Sequence, residues 1–156
     1  MSLQSINENR RVHSQPQLPY PNNVLRNDLN RVREAWRESR RQHDRYSVCK
    51  YLTAVFDLVV VWQKENQAVA RAKRALRLKG REGGDKVEPF AAVINCTSSR
   101  KNVDAKARSK WAHALKFAAQ YKSPTEPLEH FICRRGGINS CAAELSRLSQ
   151  TQTPTR

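Results

Sequence analysis

The sequence predicts an all-α fold, a compact helical domain around one central apolar helix. The first observation is the stretch VCKYLTAVFDLVVVW, residues 48–62, in which the polar residues Lys50, Thr53 and Asp57 fall in one narrow helical stripe. The second is that alanine and leucine recur at helical spacing elsewhere, with only five glycines in the chain. A helix that is apolar around most of its circumference must be surrounded, so we expect residues 48–62 at the centre of the fold.

Two other structures for residues 48–62 are weaker. The three valines at 59–61 would suit a buried strand, but an apolar run of this length favours a helix. A membrane-spanning helix needs about 20 apolar residues without charge in mid-span. Lys50 and Asp57 lie inside the run, so we predict a core helix.

The N-terminal region divides into an arm and a first helix. Residues 1–23 are polar and end in QPQLPYPNN, which predicts a disordered arm with the first helix starting near Asn23 as its cap. The arginines of that helix alternate with acids at spacings of three and four, which indicates an ordinary solvated face. The opposite side carries a regular apolar seam, made of Leu25, Leu29, Val32 and Trp36.

Further helices are predicted downstream. Residues 64–79 form a helix that either continues the central one or follows it, and residues 87–97 form a short apolar element. Asp104 is a good N-cap for a helix over 105–122. A short helix opens at Pro127, Gly136 and Gly137 break it, and a last helix over 139–148 has Asn139 as its expected cap.

These elements predict one domain over 24–148, with N-terminal helices at 24–82 and a C-terminal helical trio at 87–148 whose cores merge. Residues 149–156 look like a frayed tail. The N-terminus has no apolar segment of a secretory signal, so a cytoplasmic protein with reduced thiols is the expectation.

The charge balance points to a polyanionic partner. The chain has 29 lysines and arginines against 14 acids, a formal net charge of +15. Such an excess raises self-repulsion on compaction and supports non-specific binding to phosphates. Residues 71–81 are rich in basic residues but lack the large apolar side chains that insert into membranes, so we expect no membrane partner.

The predicted function is a non-enzymatic nucleic-acid-binding protein, favouring duplex DNA, as a transcriptional regulator or an accessory factor of a mobile element. The alternative is a helical adaptor that binds an acidic protein. Single strands are less favoured because the three tryptophans fall on apolar seams, away from bases that could stack on them. The oligomeric state is left open.

The C-terminal trio has the outline of a helix-turn-helix unit, in which the last helix would enter the major groove. Asn139 and Arg147 are the predicted base-reading side chains, with Glu144 weakening the case. Short helices joined by glycines are equally common in proteins that bind nothing. The complete set of predicted nucleic-acid contacts is Arg71, Lys73, Arg74, Arg77, Lys106, Lys110, Arg134, Arg135, Asn139 and Arg147, with Lys116 as a further phosphate contact.

Catalysis, cofactors and metals find little support in the sequence. No phosphate-binding loop, dinucleotide fingerprint or nucleophile elbow is present. His130, Cys133 and Cys141 could be imagined as zinc ligands, but a structural zinc site needs four ligands, usually in close pairs. We therefore predict no enzyme activity, no cofactor and no metal.

Residues 96–148 resemble the C-terminal part of a family of small uncharacterised basic bacterial proteins. The residues that carry the resemblance are the SKW triplet at 109–111 and the segment FICRRGGINSCA at 131–142, which fits a FI-x-R-x-GGIN-x-CA pattern. The upstream NRVREAWRESRR and YLTAVFDLVVVW also fit. The family has no established activity, so the resemblance implies a bacterial, self-contained domain and supplies no site residues.

Overall fold

The computed structural model describes residues 20–42, 44 and 46–151, and in this part of the chain it contains seven α-helices and no strands. The predicted all-α class is therefore confirmed. The helices are α1 (Asn22–Arg41), α2 (Ser47–Lys64), α3 (Ala68–Leu78), α4 (Pro89–Thr97), α5 (Ala105–Tyr121), α6 (Leu128–Arg134) and α7 (Ile138–Thr151).

Helix α2 is the predicted central helix, and it packs against α1, α3, α4, α5 and α6. Its apolar side chains Leu52, Val55 and Val59 are completely buried. The polar stripe faces outward, where Lys50 and Asp57 are exposed. One hydrophobic core contains residues of all seven helices, so the N-terminal helices and the C-terminal trio share a single interior.

An aromatic cluster joins α1, α2 and α5 on one side of this core. The Trp36 ring lies 5.0 Å from Tyr51 and 6.0 Å from Trp111 between centroids. The Tyr51 hydroxyl lies 2.6 Å from Thr97 Oγ1 in α4. The ring contacts stabilise the packing of α1, α2 and α5 beyond the area that these residues bury. The contact between Tyr51 and Thr97 holds α4 against α2.

The helix ends explain how the chain turns. Asn66 adopts a left-handed φ of 55° between α2 and α3, so these are two separate helices. Glu88 caps α4 by accepting hydrogen bonds from the backbone N–H groups of Phe90 and Ala91. Asp104 caps α5 as predicted, with its Oδ1 2.7 Å from Ala107 N.

The C-terminal trio is arranged around α5, with α7 packed along it and α6 in contact with both. Gly136 and Gly137 have φ values of 92° and 107°, and this turn places the first residue of α7 at Ile138. The prediction of Asn139 as the cap was wrong, because Asn139 lies within the first turn of the helix. The trio keeps the outline of three helices, and the helix-turn-helix interpretation stays a prediction.

The ends of the described chain are more ordered than the sequence suggested. Helix α1 begins at Asn22, so residues 22 and 23 are helical and not part of an arm, and α7 continues to Thr151. The expected disorder of residues 1–19 and 152–156 lies outside the described residues. Within the described ranges, no helix is long and apolar enough to cross a membrane.

Candidate nucleic-acid interface

A wide groove between α3 and α5 brings together lysines from three separate segments. Lys73 lies on α3, Lys86 on the loop before α4 and Lys116 on α5, and all three line the groove. The groove has a volume of about 1040 Å³. We call it the α3–α5 groove.

The floor of the α3–α5 groove is largely apolar. It is built from small and medium-sized side chains of α3, of the first turn of α4 and of the end of α5, and Val69 is 47% exposed there. The apolar lining consists of Ala68, Val69, Ala70, Val87, Pro89, Phe90 and Ala119.

The groove's positive charge is weakly neutralised. Neither α3 nor α5 contains an acidic residue. Among the described residues of the lining, Glu88 is the acid, and its two carboxylate oxygens accept the backbone N–H groups of Phe90 and Ala91 at 3.1 and 2.7 Å. Because Glu88 is committed to the N-terminus of α4, it does not pair with a lysine of the groove.

The predicted contact residues of α3 separate into different environments. Lys73 lines the groove and Arg77 is exposed. Arg74 is half-buried, and its Nη2 donates to Asn22 Oδ1 at 2.6 Å. These three remain at or near the surface.

Arg71, a predicted nucleic-acid contact, is largely buried. It is only 9% exposed, its guanidinium carbon lies 3.9 Å from the Tyr20 ring centroid, and it forms an ion pair with Glu65. Residue 71 faces the core side of α3 beside the buried Ala72 and Ala75. The structure thus uses Arg71 to hold α3 against the segment that precedes α1.

The predicted contacts of α5 lie on its outer side. Lys106 and Lys110 are both exposed, and their separation of four residues places them on the same side of the helix. Neither lysine lines the α3–α5 groove. Lys116, nearly two turns after Lys110 on the same helix, does line it.

The arginines at the end of α6 are partly engaged within the protein. Arg134 forms two hydrogen bonds with Glu126, of 2.9 and 3.1 Å, and these bonds hold the pKa of the Glu126 carboxyl at about 2. The Arg135 guanidinium lies 5.4 Å from the Phe117 ring centroid. Neither arginine lines the α3–α5 groove.

The predicted base-reading residues lie on α7. Asn139 is exposed, while Arg147 is exposed but forms an ion pair with Glu144. The Ser140 hydroxyl donates to Gly136 O at 3.3 Å. The outer side of α7 thus carries little uncompensated charge.

A second basic groove, between α1 and the end of α4, was not predicted. All four of its arginines come from the face of α1 that the sequence had indicated as merely solvated. Its described lining contains five basic residues and no acid, in a volume of about 470 Å³. The lining consists of Arg33, Trp36, Arg37, Arg40, Arg41, Lys79, Cys96, Thr97, Ser98 and Ser99.

Several arginines of this second groove are already bonded. Arg33 Nε donates to Cys96 O at 3.3 Å at the C-terminal end of α4, where a positive charge is stabilising. Arg37 and Arg41 pair with Glu34 and Glu38 on α1, as the spacing predicted. The sequence contained the arginine spacing, but only the fold places Lys79 and the end of α4 opposite it.

The described part of the chain contains no cluster of side chains that could bind a metal ion. No group of three histidine, cysteine, aspartate or glutamate side chains gathers there. Cys49, Cys96 and Cys141 are buried as free thiols, and burial raises the pKa of Cys49 to about 11. A thiol with a raised pKa is a poor nucleophile at neutral pH.

Comparison with protein-family models, with curated proteins and with solved structures finds no match to this chain.

Proposed function

We propose that this chain is a non-enzymatic nucleic-acid-binding protein that contacts the phosphate backbone of duplex DNA. The observation that carries the proposal is the convergence of three lysines on the α3–α5 groove. Lys73 and Lys116 come from two helices without acids, and Lys86 comes from the loop before α4. Lysines and arginines that neutralise phosphates release condensed counterions, which drives binding at low salt. Lys106 and Lys110 on the outer side of α5 extend the positive surface.

The tryptophans are not placed to stack with the bases of a single strand, and among the described residues the exposed aromatic rings are those of Tyr46 and Tyr121. Trp36 and Trp62 are buried in the core, and Trp111 is packed against Trp36 and Tyr51. Binding to single strands draws on exposed aromatic rings that stack with bases. Backbone contact with a duplex needs no such rings.

A transcriptional regulator or mobile-element accessory factor that recognises a DNA sequence would also need a helix that contacts the bases. In this version α7 enters the major groove, with Asn139 and Arg147 at the bases and Arg134 and Arg135 at flanking phosphates. Asparagine suits adenine and arginine suits guanine. The ion pair between Arg147 and Glu144 would have to open first.

A salt series of fluorescence anisotropy tests backbone binding. Wild-type protein should bind a labelled random duplex with an affinity that falls steeply with salt. Replacing Lys73 and Lys116 with glutamine should reduce the slope of log affinity against log salt by about 1.8, since each lost phosphate contact removes about 0.9.

The matched control replaces Lys50 and Lys101, two exposed lysines outside the α3–α5 groove, with glutamine. It removes the same charge and should leave the slope unchanged. Equal loss in both double variants would show diffuse attraction by net charge instead of a groove. Failure of the wild type to bind duplex at low salt would refute the proposal.

An adaptor for an acidic protein is the second candidate, favoured by the apolar floor of the α3–α5 groove. Pro89 and the half-exposed Val69 could receive the apolar side of an amphipathic helix, while the lysines of the groove pair with its acids. Replacing Val69 with serine separates the two functions. It should weaken binding of such a helix and leave duplex binding unchanged.

A further inference from the structure

The second basic groove, which we call the α1–α4 groove, differs in composition from the α3–α5 groove. Four of its five cations are arginines from the C-terminal half of α1, and the fifth, Lys79, comes directly after α3. The planar guanidinium fork of arginine matches two phosphate oxygens, whereas lysine acts as a point charge. A concave group of arginines is therefore suited to the phosphates of a nucleic-acid backbone.

The C-terminal end of α4 forms one wall of the α1–α4 groove, and its partial negative charge is already compensated. Arg33 Nε donates to Cys96 O at 3.3 Å, and Arg81 Nη1 donates to Asn95 O at 3.5 Å. Carbonyls at a helix end attract cations when they have no partner in the helix. Since these two carbonyls have partners, the other four cations of the groove are left for an external anion.

The acids that pair with two of these arginines are weak competitors for a phosphate. Arg37 pairs with Glu34 and Arg41 pairs with Glu38, and all four side chains are more than half exposed. Exposed ion pairs of this kind are screened by salt and contribute little to stability. Both arginines can therefore exchange a carboxylate for a phosphate at low cost.

Arg40 has no ion pair with an acid among the described residues. It is exposed, and its guanidinium carbon lies 5.9 Å from the ring centroid of Trp36, which lines the same groove. A contact with a ring face does not use the N–H groups that a phosphate accepts. Arg40 thus adds an uncompensated charge to the α1–α4 groove.

We propose that the α1–α4 groove is a second phosphate-contact surface for the duplex, occupied together with the α3–α5 groove. The inference rests on the proposed duplex binding and adds a separate set of contacts to it. The two grooves lie at opposite ends of α4, with residues 88–90 in one lining and residues 96–99 in the other.

The length of α4 separates the phosphates that the two grooves contact. Its nine residues span about 13 Å. One strand of a duplex presents about four phosphates over that axial length. The two grooves therefore contact different phosphates, and their effects on the salt dependence of binding should add.

Fluorescence anisotropy of the full chain with a labelled random duplex, in the same salt series, tests the proposal. Arg37→Gln combined with Arg40→Gln should reduce the slope of log affinity against log salt by about 1.8, since each lost phosphate contact removes about 0.9. Adding Lys73→Gln and Lys116→Gln should bring the reduction to about 3.6, because the contacts are separate.

The matched control is Arg26→Gln combined with Arg31→Gln. Both arginines are exposed on α1 outside the two grooves, and Arg31 forms an ion pair with Asp28 as Arg37 does with Glu34. The control removes the same charge from the same helix and should keep the wild-type slope.

The outcomes separate this inference from the proposed function. A double arginine variant with the slope of its control would overturn the inference, even where the double lysine variant lowers the slope and supports duplex binding. A quadruple variant with no lower slope than either double variant would also overturn it, since the grooves would then not be occupied together. Absence of duplex binding by the wild type would refute both.

Two further measurements complete the test. If circular dichroism shows that the double arginine variant does not fold, Arg41→Gln combined with Lys79→Gln replaces it, with the same expected slope. Poly-glutamate of the same total charge as the duplex should bind more weakly than the duplex. Equal affinity for poly-glutamate, lost in the same variant, would assign the groove to an acidic protein and overturn the inference.

Discussion

Replacement of Arg71 tests whether this residue holds the fold together, as its burial indicates, or contacts phosphate, as the sequence suggested. In Arg71→Ala the guanidinium contact with Tyr20 is lost, at a cost of about 1 kcal/mol. The ion pair with Glu65, whose side chain is 51% exposed, adds at most about 0.5 kcal/mol after screening.

The side-chain stem makes the larger contribution. Two buried methylenes are removed, which costs about 1.6 kcal/mol. Removing Arg71 also removes its unpartnered Nε, which returns about 1 kcal/mol. The free energy of unfolding should therefore fall by about 2 kcal/mol, and the melting temperature by about 6 °C for a chain of this size.

Two further variants make the comparison specific. Arg71→Met keeps most of the apolar stem, so its melting temperature should lie between those of the wild type and Arg71→Ala. Arg77→Ala removes an exposed arginine of the same helix and should change stability by no more than about 0.5 kcal/mol.

Thermal unfolding followed by circular dichroism measures these differences, and duplex titrations of the same variants complete the test. Arg71→Met should retain the wild-type salt dependence. Equal melting temperatures of Arg71→Ala and Arg77→Ala would contradict a structural role of Arg71. A reduced salt slope in Arg71→Met would instead indicate that Arg71 contacts phosphate.

Three other predictions concern stability. Tyr51→Phe removes the contact with Thr97 and should cost about 1 kcal/mol. Because the folded-state pKa of Tyr51 is raised from 10.0 to about 12, its contribution is complete below pH 10 and is lost as the pH rises through 12. Urea unfolding of Tyr51→Phe should therefore show a smaller alkaline decline than the wild type, and an unchanged decline would contradict the assignment to Tyr51. Glu126 has a pKa lowered from 4.5 to about 2 by hydrogen bonds from Arg134, so its contribution is present above pH 4.5 and is lost as the pH falls through 2. Glu126→Gln should flatten the acid limb of stability, and an unchanged limb would count against the pair. Asp104→Ala should lower the free energy of unfolding by about 1 kcal/mol in urea, while Asp104→Asn should retain most of it, and equal losses would argue against the cap.

Most of the helical framework could be read from local patterns. The central helix followed from an apolar run with one polar stripe, and the seam of α1 followed from the spacing of Leu25, Leu29 and Trp36. Asp104 correctly predicted the start of α5, because a side-chain cap accepts a hydrogen bond from a backbone N–H within three residues. The boundary at Asn139 was misjudged because the glycine turn, and not the asparagine, sets the beginning of α7.

The candidate sites could be predicted only in part from local sequence patterns. The sequence determined the acid-free composition of α3 and α5 and the pairing of arginines with acids along α1. Tertiary structure decided which of these charges meet. It placed Lys73 and Lys116 in one groove and buried Arg71. The physical reason is the distance along the chain over which each effect acts. Helical periodicity and capping depend on neighbours within about one turn. The environment of a charge depends on segments that are distant in the chain.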